Sequence, residues 1–74
     1  MDKMVTEFER MVDLQRKKLL VIAKRLVPHI TPDDILQPQD YPELETHPEF
    51  RYEEGVLHGL ETALQAIRTS ALFS

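Results

Sequence analysis

The chain of 74 residues reads as an all-α protein, an antiparallel helical hairpin with a long proline-rich connector that contains a short helix. Three observations predict it. Pro28, Pro32, Pro38, Pro42 and Pro48 are all the prolines of the chain and all lie in its middle, and no long helix crosses such a stretch, because each ring removes a backbone donor and clashes with the preceding turn. Before them, Met4, Val5, Phe8, Met11, Val12, Leu19, Ile22, Ala23 and Leu26 share one broad helical face. After them, Phe50, Leu57, Leu60, Leu64, Ile67 and Ala71 fall at the spacing that lines one side of a second helix.

The first helix is expected over about residues 2–26, with Asp2 as a candidate N-cap and Thr6-x-x-Glu9 as a capping box if the first turn frays. Pro28 disfavours helical geometry at Val27 and ends it there, where Lys24 and Arg25 suit the negative end of the helix dipole. Gln15 is the one polar residue on its apolar face. Leu14 and Val21 lie nearly opposite that face, with Lys17, Lys18, Lys24 and Arg25 as their borders, and Leu20 and Val27 occupy a third side. The Leu14–Val21 row imitates a short coiled-coil seam with an all-basic border, which favours an acidic partner.

The connector, residues 28–46, opens on Thr31-Pro32-Asp33-Asp34, in which threonine can cap, proline fits the first helical position and the acids favour the positive helix end. A short helix over about 32–37 follows, and Ile35, Leu36, Tyr41 and Leu44 are expected to pin an otherwise extended segment to the helices. Thr46-His47-Pro48-Glu49 has the form of a capping box with proline in the first turn, so the second helix is expected over about 47–72. Its solvent face reads as Arg51, Glu54, His58, Glu61, Gln65, Arg68 and Thr69. Gly55, Gly59 and Ala63 form a strip almost without side-chain volume beside the core row. Each helical glycine costs about 1 kcal/mol relative to alanine, so the pair suggests a helix approaching closely.

One domain of this size buries only about 60% of its unfolded surface, and there is no cysteine to add a disulfide or a thiolate zinc site. With no basic region leading into an apolar run near Met1, and no long apolar stretch, neither secretion nor membrane spanning is expected and the cytoplasm is the natural place. The net charge of −4 is unevenly spread: seven of nine basic residues lie between Lys3 and Arg25, whereas Asp33 to Glu49 carries six acids and no Lys or Arg. Folding the connector onto the basic half of the first helix is expected to neutralise both.

No residue pattern calls for catalysis or a cofactor. Glu54, His58 and Glu61 share a helix face and could in principle hold a metal, but di-iron bundles aim such residues inward from paired helices, and a solvated charged face is the expected reading. His29 and His47 add no recognisable ligand spacing. Ser70 and Ser74 have no orienting base, and Gly55-x-x-x-Gly59 lacks the lysine and preceding strand of a phosphate loop. Glu53 falls inside the apolar arc and is expected either to pair with an arginine or to sit on exposed first turns.

Two antiparallel helices cannot hide all these apolar rows. The expected solution is a homodimer whose four long helices form one bundle, with Leu14, Val21, Gly55, Gly59 and Ala63 as interface residues, or another protein that supplies a helix or acidic segment. The function expected is therefore that of a non-catalytic protein-interaction module. The alternative is a nucleic-acid-associated regulatory dimer using Lys3, Arg10, Lys17 and Lys24, which recur every seven residues along the first helix, as anion contacts. The acidic total and the lack of interleaved aromatics weigh against it.

Overall fold

The prolines set the limits of the two long helices. In a computed structural model, which describes residues 2–73 and the side chains of residues 3–70, helix α1 runs Asp2–Leu26 and stops two residues short of Pro28. The long helix after the connector, labelled α4 below, spans Pro48–Phe73 with Pro48 in its first turn. The cap proposed for the side chain of Asp2, and the places given to Ala71, Phe73 and Ser74, lie outside the described side chains. No strand occurs among the described residues.

Between the long helices the chain is not extended. It makes three single turns, α2 (Pro32–Ile35), a 3₁₀ turn (Pro38–Asp40) and α3 (Pro42–Glu45). Each begins on a proline, at the position where the missing N–H has no helical partner to lose. The sequence signal at α2 is met in full: Thr31 Oγ1 accepts from the Asp34 N–H at 3.3 Å and the Asp34 carboxylate accepts from the Thr31 N–H at 3.0 Å. The Thr31 N–H foremost, and the Thr31 side chain after it, hold the Asp34 carboxyl below its usual range. Tyr41 is shifted upward, first by burial and then by the charge of Asp34.

The start of α4 differs from the expected capping box. Thr46 belongs to the preceding turn, with αR backbone and its hydroxyl donating to the Pro42 carbonyl at 2.9 Å. His47 takes over the capping position, its Nδ1 accepting from the Phe50 N–H at 3.4 Å. Because Pro48 fixes the first helical position, the residue directly before it must do the capping.

Helices α1 and α4 lie antiparallel, in the register set by the ion pairs Glu9–Arg68, Arg16–Glu61 and Arg25–Glu49. Their core comprises Val12, Leu19, Ile22 and Ala23 from α1 and Phe50, Leu57 and Leu64 from α4, joined by Ile30 and Leu44 from the connector. Phe50, Leu19 and Leu44 are the largest side chains fully removed from solvent. Of the expected connector anchors, Leu44 is buried and Ile35 and Tyr41 half-buried, but Leu36 is 74% exposed. A single helical turn that aims Ile35 inward rotates its neighbour by about 100° and out of the core. Met4 and Met11 likewise lie on the edge of the α1 stripe and are exposed, whereas Leu20 and Val27, expected on a side of their own, are half-buried against the core.

Glu53 resolves differently from either expectation. It is only 13% exposed, and its partners are Lys18 at 3.0 Å and Gln15, whose amide donates to both its carboxylate, at 2.8 Å, and its backbone carbonyl, at 2.9 Å. Gln15, the polar interruption of the α1 stripe, thus satisfies the polar interruption of the α4 row. The Gln15 hydrogen bond, followed by that from Lys18, depresses the Glu53 carboxyl. A depressed folded-state value contributes stability that is present above the ordinary glutamate range and is lost as pH falls through the folded value. Glu53→Gln is therefore expected to lower the melting temperature at pH 7 by more than at pH 3, measured by thermal unfolding monitored by circular dichroism. An equal loss at both pH values would show that the carboxylate charge is not what matters there.

Candidate functional site

The hairpin has two broad faces, and they are treated differently. On one, the connector packs across α1 and α4 and leaves an open groove of about 800 Å³, lined among others by Arg16, Leu20, Ile35, Leu36, Gly55 and His58. Its charged rim is already internally matched: Arg16 holds Glu61 at 2.9 Å, Lys17 holds Asp13 at 3.5 Å, and Arg51 reaches Glu45 at 3.0 Å and Glu54 at 3.9 Å. The acids that meet the α1 cations thus come from α4, as Glu49, Glu53 and Glu61, with Arg25–Glu49 at 3.7 Å, and from α1 itself, as Glu7 and Asp13; among the described residues no acid of the connector pairs with α1. Glu45 is taken by Arg51.

The Glu54–His58–Glu61 group sits on this groove side, with both carboxylates half-buried rather than fully solvated. Glu61 is held by Arg16 and Glu54 shares Arg51 with Glu45, and among the described residues no three His, Cys, Asp or Glu side chains are placed to hold a metal ion.

The opposite face carries no connector. One α1 flank, Asp13, Arg16 and Leu20, lines the groove, so the other flank must look away from it. That second flank holds Met4, Met11, Leu14 and Val21, at steps of seven, three and seven residues, the spacing of a heptad seam. The α4 flank away from the groove holds Tyr52, Val56, Gly59, Leu60, Ala63 and Ile67. Met4, Met11, Leu14, Val21 and Tyr52 are 40–70% exposed, and Leu36 in the groove is the only other large hydrophobic with comparable exposure among the described residues. Glu7, Lys18 and Arg25 occupy the remaining positions of the same heptad-spaced row, and each is paired, with Arg10, Glu53 and Glu49 respectively.

The two expected interface groups fare unequally. Leu14 and Val21 are more than half exposed, outside the core as their spacing predicts. The Gly55–Gly59–Ala63 strip is split, because four-residue steps drift by about 40° around a helix: Gly55 lines the groove while Ala63 lies on the far flank. Neither glycine touches a helix of its own chain, for a Cβ built on Gly55 or Gly59 meets nothing within 4 Å. The strip is thus not where α1 and α4 meet. With open space and no positive φ at either glycine, Gly55→Ala is expected to stabilise the fold by about 1 kcal/mol through helix propensity. Urea unfolding measures this, and a destabilised variant would reveal a contact to Gly55.

The heptad-spaced basic line is partly spent. Arg10 is held by Glu7 at 2.9 Å and Lys17 by Asp13 at 3.5 Å, while Lys3 and Lys24 have no ion pair among the described residues. No helix among the described residues is long and apolar enough to cross a membrane. Comparison of the chain with protein-family models, with curated proteins and with solved structures finds no match.

Proposed function

We propose that the protein is a non-catalytic protein-interaction module, a dimeric adaptor, assembly factor or regulator, in which two hairpins meet through their uncovered faces and form a four-helix bundle. The observation that carries this reading is the segregation of exposed apolar side chains: Met4, Met11, Leu14, Val21 and Tyr52 share the one face that the connector leaves bare. Large apolar side chains left exposed on one side of a helical hairpin, even with charged pairs between them, support an interaction surface. Of the cations beside Leu14 and Val21, Lys17, Lys18 and Arg25 are paired within the chain, whereas Lys24 has no ion pair among the described residues.

Sedimentation equilibrium of the purified chain tests the proposal. A dimer is expected at micromolar concentration, and a monomer persisting to high micromolar concentration refutes it. In the close variant, a foreign helix occupies the same face, and the isolated chain then remains monomeric until that partner is supplied. Phosphate contact along Lys3, Arg10, Lys17 and Lys24 is the weaker reading, as two of these four cations are engaged by acids. It requires binding to mixed DNA or RNA that falls steeply with salt and is abolished by Lys17→Glu with Lys24→Glu.

A further inference from the structure

We infer that the contact between Gln15 and Glu53 is the register lock of the hairpin: it selects one alignment of α1 against α4 among those that the apolar rows allow, without adding stability relative to apolar residues in its place. The lock acts within a single chain and stands apart from the dimer proposed above.

The apolar rows alone are degenerate. The inner side of α1 consists of Val5, Val12, Leu19 and Leu26 and, beside them, Phe8, Gln15 and Ile22. Both rows step by seven residues, and every member is buried or half-buried. The inner side of α4 has the same form, with Phe50, Leu57 and Leu64 in one row and Glu53, Leu60 and Ile67 in the other. Two helices with seven-residue repeats meet again, apolar on apolar, when one slides along the other by a heptad, about 10 Å at 1.5 Å per residue. Period alone does not separate the observed alignment from these neighbours.

Each helix carries one polar residue in this inner set, and the two meet. Gln15 Nε2 donates to the Glu53 carboxylate at 2.8 Å and to the Glu53 main-chain carbonyl at 2.9 Å, while Lys18 reaches the carboxylate at 3.0 Å. The carbonyl moves rigidly with its helix, so a slide of about 10 Å carries it further than the Gln15 side chain can follow. Both polar groups then lie against apolar rows without that partnership, and a buried polar group without its hydrogen bonds carries a penalty. A buried pair of this kind is weak evidence for stability, because well-packed apolar residues in its place do as well or better; its best-attested use is to specify alignment. The exposed pairs Glu9–Arg68, Arg16–Glu61 and Arg25–Glu49 favour the same register, but each exposed ion pair contributes little.

Replacing the pair by leucine tests the lock. Gln15→Leu alone strips the amide from Glu53 and is expected to raise the unfolding equilibrium constant at least about tenfold, measured in urea. Gln15→Leu with Glu53→Leu is expected to unfold no more readily than the unaltered chain and yet to lose its single alignment. Because the chain has no cysteine, spin labels placed through Lys24→Cys and Gln65→Cys, both exposed positions on opposite helices, report that alignment. Pulsed electron spin resonance, on labelled chains diluted into unlabelled ones, reads the distance within one chain. One distance is expected with Gln15 and Glu53 in place, and in the double leucine variant a second one displaced by up to about 10 Å. A single unchanged distance in that variant overturns the lock, since the apolar rows and the connector then suffice. A double variant less stable than the unaltered chain also overturns it, because the pair then stabilises rather than selects, as does a Gln15→Leu chain of unaltered stability.

Discussion

Leu14→Glu combined with Val21→Glu is expected to convert the protein into a monomer that keeps its helices. Both side chains are more than half exposed in the hairpin, so neither substitution removes core packing. Within α1 the new carboxylates are favourably placed: a glutamate at 14 lies three and four residues before Lys17 and Lys18, and one at 21 lies three and four before Lys24 and Arg25. Such pairs stabilise a helix by about 0.2–0.5 kcal/mol each. In the proposed dimer the balance would reverse, because four carboxylates would enter the contact, and hot-spot losses run to about 2 kcal/mol or more per residue. The dissociation constant should rise by at least about a hundredfold for such a loss. Sedimentation paired with circular dichroism reads both sides of this expectation. A variant that still dimerises would locate the interface elsewhere, and one that unfolds would show that Leu14 and Val21 belong to the core.

How much of this was legible depends on whether a residue's neighbours are fixed by helical period or by the path of the connector. The limits of α1 and α4, the row Phe50, Leu57 and Leu64, and the exclusion of Leu14 and Val21 from the core all follow from period and proline position, and the structure has them as expected. Ile30 escaped notice, although it is nearly fully buried, since a lone apolar residue between Pro28 and Pro32 has no period to reveal it. Leu20 and Val27 looked surplus only because the connector's course over that side of α1 cannot be read from spacing. Proline density suggested an extended segment, whereas Pro32, Pro38 and Pro42 each start a turn. A strip that looks continuous on a helical net, Gly55 to Ala63, is divided between two faces by the drift of four-residue steps.

The same division explains why the bare face matters for the hairpin's own stability. Burial is concentrated where the connector adds a third layer: Leu19, Ile22, Ala23, Ile30, Leu44 and Phe50 are nearly solvent-free. Toward the open end, among the described residues, only Val12 and Leu64 are buried, with Val5, Phe8 and Leu60 half-exposed against the core and Ile67 half-exposed as well. A second copy on the uncovered face, as proposed, would add a layer to the core where the single chain is thin.

Phe50→Ala is accordingly expected to be the most damaging single truncation. Phe50 has no exposed surface and sits in the first turn of α4, in the same cluster as Leu44 from the connector and the last turns of α1. Removing a buried phenylalanine costs about 3–5 kcal/mol. A chain of this length has a total stability of only about 4–11 kcal/mol at the usual density per residue, so the variant loses a large share of it and should be substantially unfolded at 37 °C. Phe8→Ala, at the half-buried open end, should cost roughly half as much on area alone. In a dimer that covers this end, its effect should also depend on protein concentration, because monomer stability and association are then linked. Urea unfolding of both variants at two protein concentrations checks the ranking. If Phe50→Ala stays within about 1 kcal/mol of the unaltered chain, below the usual cost of a buried phenylalanine, the connector end is not where the stability resides. If Phe8→Ala proves the costlier of the two, the fold is anchored at its open end.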